Sequence, residues 1–320
     1  MSPVDSAGPH VVALGGGHGL AATLSALRRV TSRLTGIVTV ADNGGSSGRL
    51  RSEFGILPPG DLRMALAALC GDDDWGRAWA EVMQHRFGGD GPLAGHAVGN
   101  LLLAALWEME GDQVAGLDLV AELLGARGRV LPMANVPLDI EADVVMPGGR
   151  IEIVRGQAEV ATTAGEILAV RLDPADPSAC PQAVRALESA DWVTIGPGSW
   201  FTSVMPTLLV PRLRQALLST SARRVLILNL VGQPGETDHL TPEQHLDVLA
   251  EHAPALRLDA VVADTHTAGD GRALHRAAER LGAELVVADV RAAERPDQHD
   301  PVALARVFAD RFATLSPRRA

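Results

Sequence analysis

The sequence predicts a Rossmann-like, doubly wound α/β protein with a mostly parallel sheet, and three observations predict it. Short apolar runs recur along the 320-residue chain, and each is followed by a stretch with helical spacing. Glycine-rich turns sit where such runs end, the place at which parallel sheets open their ligand clefts. Residues 129–170 break the pattern by alternating apolar and polar residues around a Pro147-Gly148-Gly149 turn, as a small antiparallel β meander does.

In chain order, His10 to Leu14 reads as a buried strand and Leu20 to Val30 as an amphipathic helix. Leu34 to Val40 is a second strand, rich in β-branched residues. Helical patterns dominate from Asp61 to Leu124, broken by the glycine-rich patch at 86–95, which predicts a helical insertion over about 61–125. After the meander, the runs Ala190 to Ile195, Val225 to Leu230, Leu258 to Val262 and Leu285 to Val287 are strands that alternate with helices. Residues 10–313 are thus expected to form a single α/β domain, with disordered tails at 1–9 and 314–320.

Composition narrows the function. A hydrophobic content of 47% with 21% charged residues is that of a globular protein. No apolar run approaches the roughly 20 residues a bilayer span needs. The first ten residues, MSPVDSAGPH, have neither the basic start nor the apolar core of a secretory signal. A cytoplasmic location without membrane insertion is therefore expected. A net charge of −11 opposes nucleic-acid binding. All 28 basic residues are arginine, and lysine and tyrosine are both absent. That excludes a lysine-bearing phosphate loop, a Schiff-base lysine and a phenolic acid or base. Phosphate must be met by backbone N–H groups or arginine forks. Cys70 and Cys180 stand in no paired motif and read as structural thiols.

The first strand runs into LGGGHGL, residues 14–20. Gly15, Gly16, Gly17 and Gly19 let backbone N–H groups approach an anion at a helix start, and His18 is a donor or a cap. As a dinucleotide fingerprint the motif is incomplete, because Leu20 occupies the third glycine position. Asp42 ends the second strand and leads into NGGSSGRLR. Asn43, Gly44, Gly45, Ser46 and Ser47 read as a polar loop that cradles a ligand, with Arg49 and Arg51 near it. Asp42 suits a ribose hydroxyl or a hydrated Mg²⁺.

In PPGDLR, residues 58–63, Asp61 is expected to cap a helix while Arg63 is a free donor beside the cradle. His96 and Asn100, four apart in GHAVGN, share a helix face as either a ligand contact or a buried hydrogen-bonded pair. TIGPGSWFTSVMP, residues 194–206, reads as a second anion loop, with Gly196, Gly198, Ser199 and Thr202 facing the ligand. Ser199 has no neighbouring acid or histidine to make it a nucleophile. Asn229, Gln233, Glu236 and Asp238 follow a further strand and read as a hydrogen-bonded turn. His299 and Asp300 are a metal pair or a surface loop.

Taken together and in order, GGGHGL, ADNGGSSGRLR, PPGDLR, GHAVGNLLLAAL, GPGSWFTSVMP and QPGETDH resemble the gluconeogenesis-factor (YvcK-like) family of the CofD-like, 2-phospho-L-lactate transferase superfamily. The resemblance spans about residues 10 to 300. It implies a Rossmann-like fold and a regulator that binds UDP-N-acetylglucosamine, linked to cell shape, envelope synthesis and gluconeogenic growth. By position it places Gly16, Gly17, His18 and Gly19 along the nucleotide or diphosphate, Asp42 and Asn43 at metal- and substrate-binding positions, and Asn100, Gly198 and Ser199 in the same cleft. Asn43 stands where many relatives carry a second aspartate, which favours ligand binding over phosphoryl-type transfer. The alternative is a Mg²⁺-dependent transferase moving a phospho-lactyl-type group from a nucleoside-diphosphate-linked donor. An NAD-dependent oxidoreductase is a further alternative, disfavoured by the incomplete fingerprint. A homodimer is compatible with the sequence.

Overall fold

Strand β1 (Val11–Gly15) is buried at every residue, so both of its faces and both of its edges need cover. The edges are taken by β2 (Leu34–Val38) and, much later in the chain, by β7 (Trp192–Ile195), each in parallel register. Between β1 and β2, helix α1 (Gly17–Leu27) buries Leu20, Thr23, Leu24 and Leu27, a spacing that puts one stripe against the sheet. The computed structural model describes residues 8–269 and 271–315. Of the expected tails, residues 1–7 and 316–320 lie outside the described residues.

Helices α2 (Gly45–Phe54), α3 (Pro59–Leu69), α4 (Asp74–Gln84), α5 (Val98–Glu110) and α6 (Gln113–Leu124) separate β2 from β3 (Arg129–Pro132). The meander follows as β4 (Asp139–Val145), β5 (Ile151–Arg155), the short α7 (Gln157–Ala161) and β6 (Glu166–Asp173). Helix α8 (Pro181–Glu188) leads into β7. A π-helical turn at Trp200–Val204 continues into α9 (Met205–Leu209) and α10 (Pro211–Ser219). The chain ends with β8 (Arg223–Ile227), α11 (Pro242–His252), β9 (Ala260–Asp264), α12 (Thr265–Ala268), α13 (Arg272–Arg280), β10 (Glu284–Ala288) and α14 (Pro301–Thr314).

The main sheet has seven strands in the order β10-β9-β8-β7-β1-β2-β3, and every pairing in it is parallel. From β1 the chain winds outward to β2 and β3, then returns to β7 on the other side of β1. The winding direction reverses there, so the carboxyl ends of β1 and β7 flank the crevice in which such sheets bind ligands.

Two expectations about the elements need correction. The alternation predicts a meander from about residue 129, but Arg129–Pro132 pairs in parallel with β2 and belongs to the main sheet. Its last three residues are all buried, whereas the half-buried alternation that marks a meander strand begins at Asp139. Second, the stretch after Asp42 is a helix from Gly45 onward rather than a loop. The Asp42 carboxylate accepts from the Gly44 N–H at 2.8 Å, which turns the chain into the helix. Ser46, Ser47 and Leu50 then form its buried face, and Gly55 ends it in a left-handed cap. Two thiols, Cys70 and Cys180, are free and buried, as expected of structural cysteines.

Candidate functional site at the centre of the sheet

Two glycine turns meet at the reversal point. After β1, Gly16 is extended and precedes the first turn of α1. After β7, Gly196, Pro197 and Gly198 bend back toward it. A Cβ on Gly19 would lie 2.2 Å from the Pro197 carbonyl oxygen and 2.9 Å from the Gly198 nitrogen, so only glycine permits this approach. A Cβ on Gly16 would lie 2.4 Å from Asp61 Oδ2, so a side chain there would have to displace that carboxylate.

That contact identifies an acid that sequence reasoning set aside as a cap. Helix α3 begins with Pro58 as its cap and Pro59 in its first turn, so Asp61 is free of capping duty. Its carboxyl faces the β1 turn, where it takes the Gly17 N–H. Burial first, and then the negative charge of Asp42, push the Asp61 carboxyl up to about 7; the Gly17 N–H and Arg63 pull it back. Two carboxylates, Asp42 from the turn between β2 and α2 and Asp61 from α3, therefore share one corner of the crevice. Asn43 is not part of it. Its amide donates to Glu159 at 2.7 Å and accepts from the Ala158 N–H at 3.0 Å, tying α2 to α7.

The second anion loop is filled from within. Glu236, 2% exposed, accepts from the N–H groups of Phe201 at 2.6 Å and Thr202 at 3.0 Å, and from the Ser199 hydroxyl. Asn229 clamps Gly198 from both sides, accepting from its N–H at 2.9 Å and donating to its carbonyl at 2.8 Å. The donors expected to hold a ligand at Ser199 and Thr202 are thus occupied by a side chain of the same protein. Gly196 and Gly198 keep their place in the crevice wall.

Three further ligand candidates are internally satisfied. Arg63 donates through Nε to Asn100 Oδ1 at 2.8 Å, Asn100 donates to Ser46 Oγ at 2.9 Å, and Ser46 meets His96 Nδ1 at 3.0 Å. All four side chains are buried. Arg63 also donates to Gln84, and burial lowers its guanidinium to about 10. Ser46, Arg63 and Asn100 therefore form a polar rivet joining α2, α3 and α5, with His96 completing it. Arg49 donates to the Ala94 carbonyl at 2.7 Å. Arg51 donates to the Leu138 carbonyl at 2.9 Å and pairs with Asp139 at 2.8 Å. Gly45 and Asn43 border a second hollow, shared with Arg49 and His96.

The main cleft, about 700 Å³, opens on the first turn of α1 and is lined by His18, Gly19, Gly198, Asn229, Gln233 and His299. His299 and Asp300 do not form a metal pair. Asp300 caps α14 through the Val302 N–H at 2.8 Å, while His299 is buried in the cleft wall. The contribution of residues 292–301 to this wall has no motif of its own in the sequence. Among the described residues no group of three or more His, Cys, Asp or Glu is placed to hold a metal ion. No described helix is long and apolar enough to cross a membrane.

The model of the family described as 2-phospho-L-lactate transferase CofD matches residues 11–303. The chain belongs to the CofD family. Among relatives, it is 55% identical over 304 residues to a Mycobacterium tuberculosis protein named "Putative gluconeogenesis factor", covering 93% of this chain and 89% of that one. It is 38% identical over 262 residues to the gluconeogenesis factor of Bacillus subtilis, covering 82% and 80%. A crystal structure of a UPF0052-family protein from Bacillus halodurans superimposes with a TM-score of 0.83 at 33% identity, over 94% of this chain and 98% of that one. The CofD-family fold thus supplies a helix start that borders a cleft of nucleotide size, with an acid pair beside it.

Proposed function

We propose that the protein binds a nucleotide sugar, UDP-N-acetylglucosamine, in the cleft beside β1 and β7 and acts as a regulator of envelope synthesis and cell shape during gluconeogenic growth. The observation that carries this reading is the first turn of α1. Asp61 takes only its Gly17 N–H, no acid of its own lies in that turn, and His18 and Gly19 border the 700 Å³ cleft. Backbone N–H groups at a helix start favour a diphosphate, and in a chain without lysine they are the natural phosphate donors. The relatives' names support the gluconeogenic link; the envelope and cell-shape roles rest on the family resemblance. The protein acts in the cytoplasm in this reading.

Thermal unfolding with UDP-N-acetylglucosamine, GDP and NAD, each with and without Mg²⁺, tests it. A ligand at a hundred times its dissociation constant adds about 2.7 kcal/mol. Stabilisation by the sugar nucleotide is expected. A shift with NAD and none with the sugar nucleotide would sink the reading.

The acid pair favours a second reading, a Mg²⁺-dependent transferase acting on a nucleoside-diphosphate-linked donor. Burial first, and then repulsion from Asp42, hold Asp61 partly protonated near neutrality, and a divalent cation would relieve the repulsion. Mg²⁺ commonly binds through one or two carboxylates together with substrate phosphates and water, so the pair fits it only alongside a phosphate ligand. When bound, the ion neutralises phosphate charge. The protein's own part is to orient it from Asp42 and to take or release a proton at Asp61. Asp42→Ala is expected to erase any Mg²⁺-dependent share of the ligand shift, and an unchanged share would remove Asp42 from the site.

A further inference from the structure

His299 is a histidine whose environment the acid pair and the phosphate donors leave unexplained. It is 8% exposed and lines the main cleft. The segment that carries it is held at several points. Arg291 and His299 form an antiparallel bridge, Ala292 N–H donates to the Gln298 carbonyl at 2.9 Å, and Asp300 N–H donates to the Val290 carbonyl at 2.8 Å. One ring nitrogen is hydrogen-bonded to the backbone of Leu228. The Leu228 N–H is already engaged with Val262 at 3.0 Å, so the carbonyl is the acceptor and the histidine is the donor. Burial holds the ring neutral, with a pKa of about 4. A neutral imidazole that donates through one nitrogen presents a lone pair on the other. That second nitrogen has no protein partner among the described residues.

The cleft that His299 lines has room for a flat ring. Ala22, Ala67, Ala68 and Ala80, from α1, α3 and α4, line the same cleft with short side chains. The first turn of α1, where His18 and Gly19 await phosphate, borders it too.

We propose that His299 reads the edge of a nucleobase by accepting a hydrogen bond from a ring N–H, as carried by uracil N3 and guanine N1. Cytosine N3 and adenine N1 are acceptors themselves and leave the buried lone pair facing another lone pair. The proposal rests on the nucleotide reading of the cleft and narrows it to bases that carry an imide-type N–H. Donor-to-acceptor mismatches at a buried polar group are costly, which makes the discrimination measurable.

Calorimetric titration of UDP, CDP, GDP and ADP into the full chain, His299→Leu and His299→Gln tests it. The parent protein is expected to bind UDP over CDP, or GDP over ADP, by about tenfold or more. The leading member of the two pairs tells uracil from guanine. His299→Leu should weaken the preferred nucleotide about tenfold and leave its disfavoured partner unchanged. His299→Gln, which keeps an acceptor oxygen, should retain part of the preference and serves if the leucine variant does not fold. Equal binding within both pairs by the parent, or a uniform weakening of all four nucleotides in the variants, overturns the base-reading role while leaving nucleotide binding intact. Binding of none of the four by the parent overturns the nucleotide reading itself.

Discussion

The turns after β1 and β7 resemble one another in sequence and differ in what occupies them. Both follow a buried parallel strand, both are glycine-rich, and both lead into a helical segment. The turn after β1 gives its Gly17 N–H to Asp61 but keeps His18 and Gly19 facing a cleft. The turn after β7 closes on the carboxylate of Glu236, which takes two backbone N–H groups and a hydroxyl. A helix start attracts negative charge whatever its source, and 34 residues beyond Thr202 the chain supplies its own. Motif chemistry identifies where an anion sits; only the fold tells whether it comes from a ligand or from the protein.

The contact between the two turns is the first place to break this comparison. Gly19→Val forces a side chain into the Pro197 carbonyl, whose oxygen would lie 2.2 Å from its Cβ. Neither backbone can give way cheaply, so a loss of at least about 3 kcal/mol in urea unfolding is expected, together with loss of ligand stabilisation. An unchanged unfolding midpoint would mean that the turns do not touch.

Removing the internal anion is the next test. Glu236→Ala strands the N–H groups of Phe201 and Thr202 and the Ser199 hydroxyl, and is expected to cost about 2–3 kcal/mol. Inorganic phosphate should restore part of that stability in the variant and have no such effect at this turn in the parent. If phosphate stabilises both equally, Glu236 is not standing in for an anion.

The sheet is legible because its central strands are buried on both faces and therefore read as unbroken apolar runs, whereas the edge strand β10 is not buried at any residue. β1, β2, β7 and β9 are buried at every position. The glycine turns were legible for the same reason: strand ends in such a sheet have few other uses for so many glycines. What escaped was partnership across long sequence separations. Ser46, Arg63, Asn100 and His96 carry the residue types of a ligand site, and nothing local shows that they satisfy one another. Asp61 reads as a cap because a helix start explains an aspartate so readily, yet Pro58 and Pro59 mark the start two residues earlier. The sequence of α2 reads as a loop because its glycines and serines have low helix propensity. Its stability comes from tertiary burial of Ser46, Ser47 and Leu50.

The acid pair offers a comparison that pH can sharpen. Asp61 rises from 3.8 to about 7 in the folded chain, so the folded state holds this proton more tightly than the unfolded state does. Its contribution is fully present below about pH 4 and is lost as pH rises through about 7. Asp61→Asn should therefore match the parent in acid and exceed it by about 4 kcal/mol at pH 8, where the parent carries two neighbouring negative charges. Chemical denaturation at several pH values measures the difference. A gap independent of pH would show that Asp61 is not raised by its surroundings.

The smallest effects are expected at the two arginines beside the acid-bearing turn, which are the residues that most suggest a phosphate clamp. Arg51 binds the Leu138 carbonyl and Asp139 at the start of the meander. Arg49 is exposed and reaches the Ala94 and Pro92 carbonyls of the glycine-rich patch before α5. Both guanidiniums therefore fasten inserted segments to α2, and neither lines the main cleft. Arg51→Ala is expected to cost about 1 kcal/mol through its half-buried ion pair, and Arg49→Ala less than about 0.5 kcal/mol because its bonds compete with water. Neither should alter the stabilisation given by a nucleotide sugar. A variant that keeps its stability while losing that ligand response would return its arginine to the binding site. The boundary between ligand-holding and fold-holding groups would then have to be drawn again on the α2 side of the sheet.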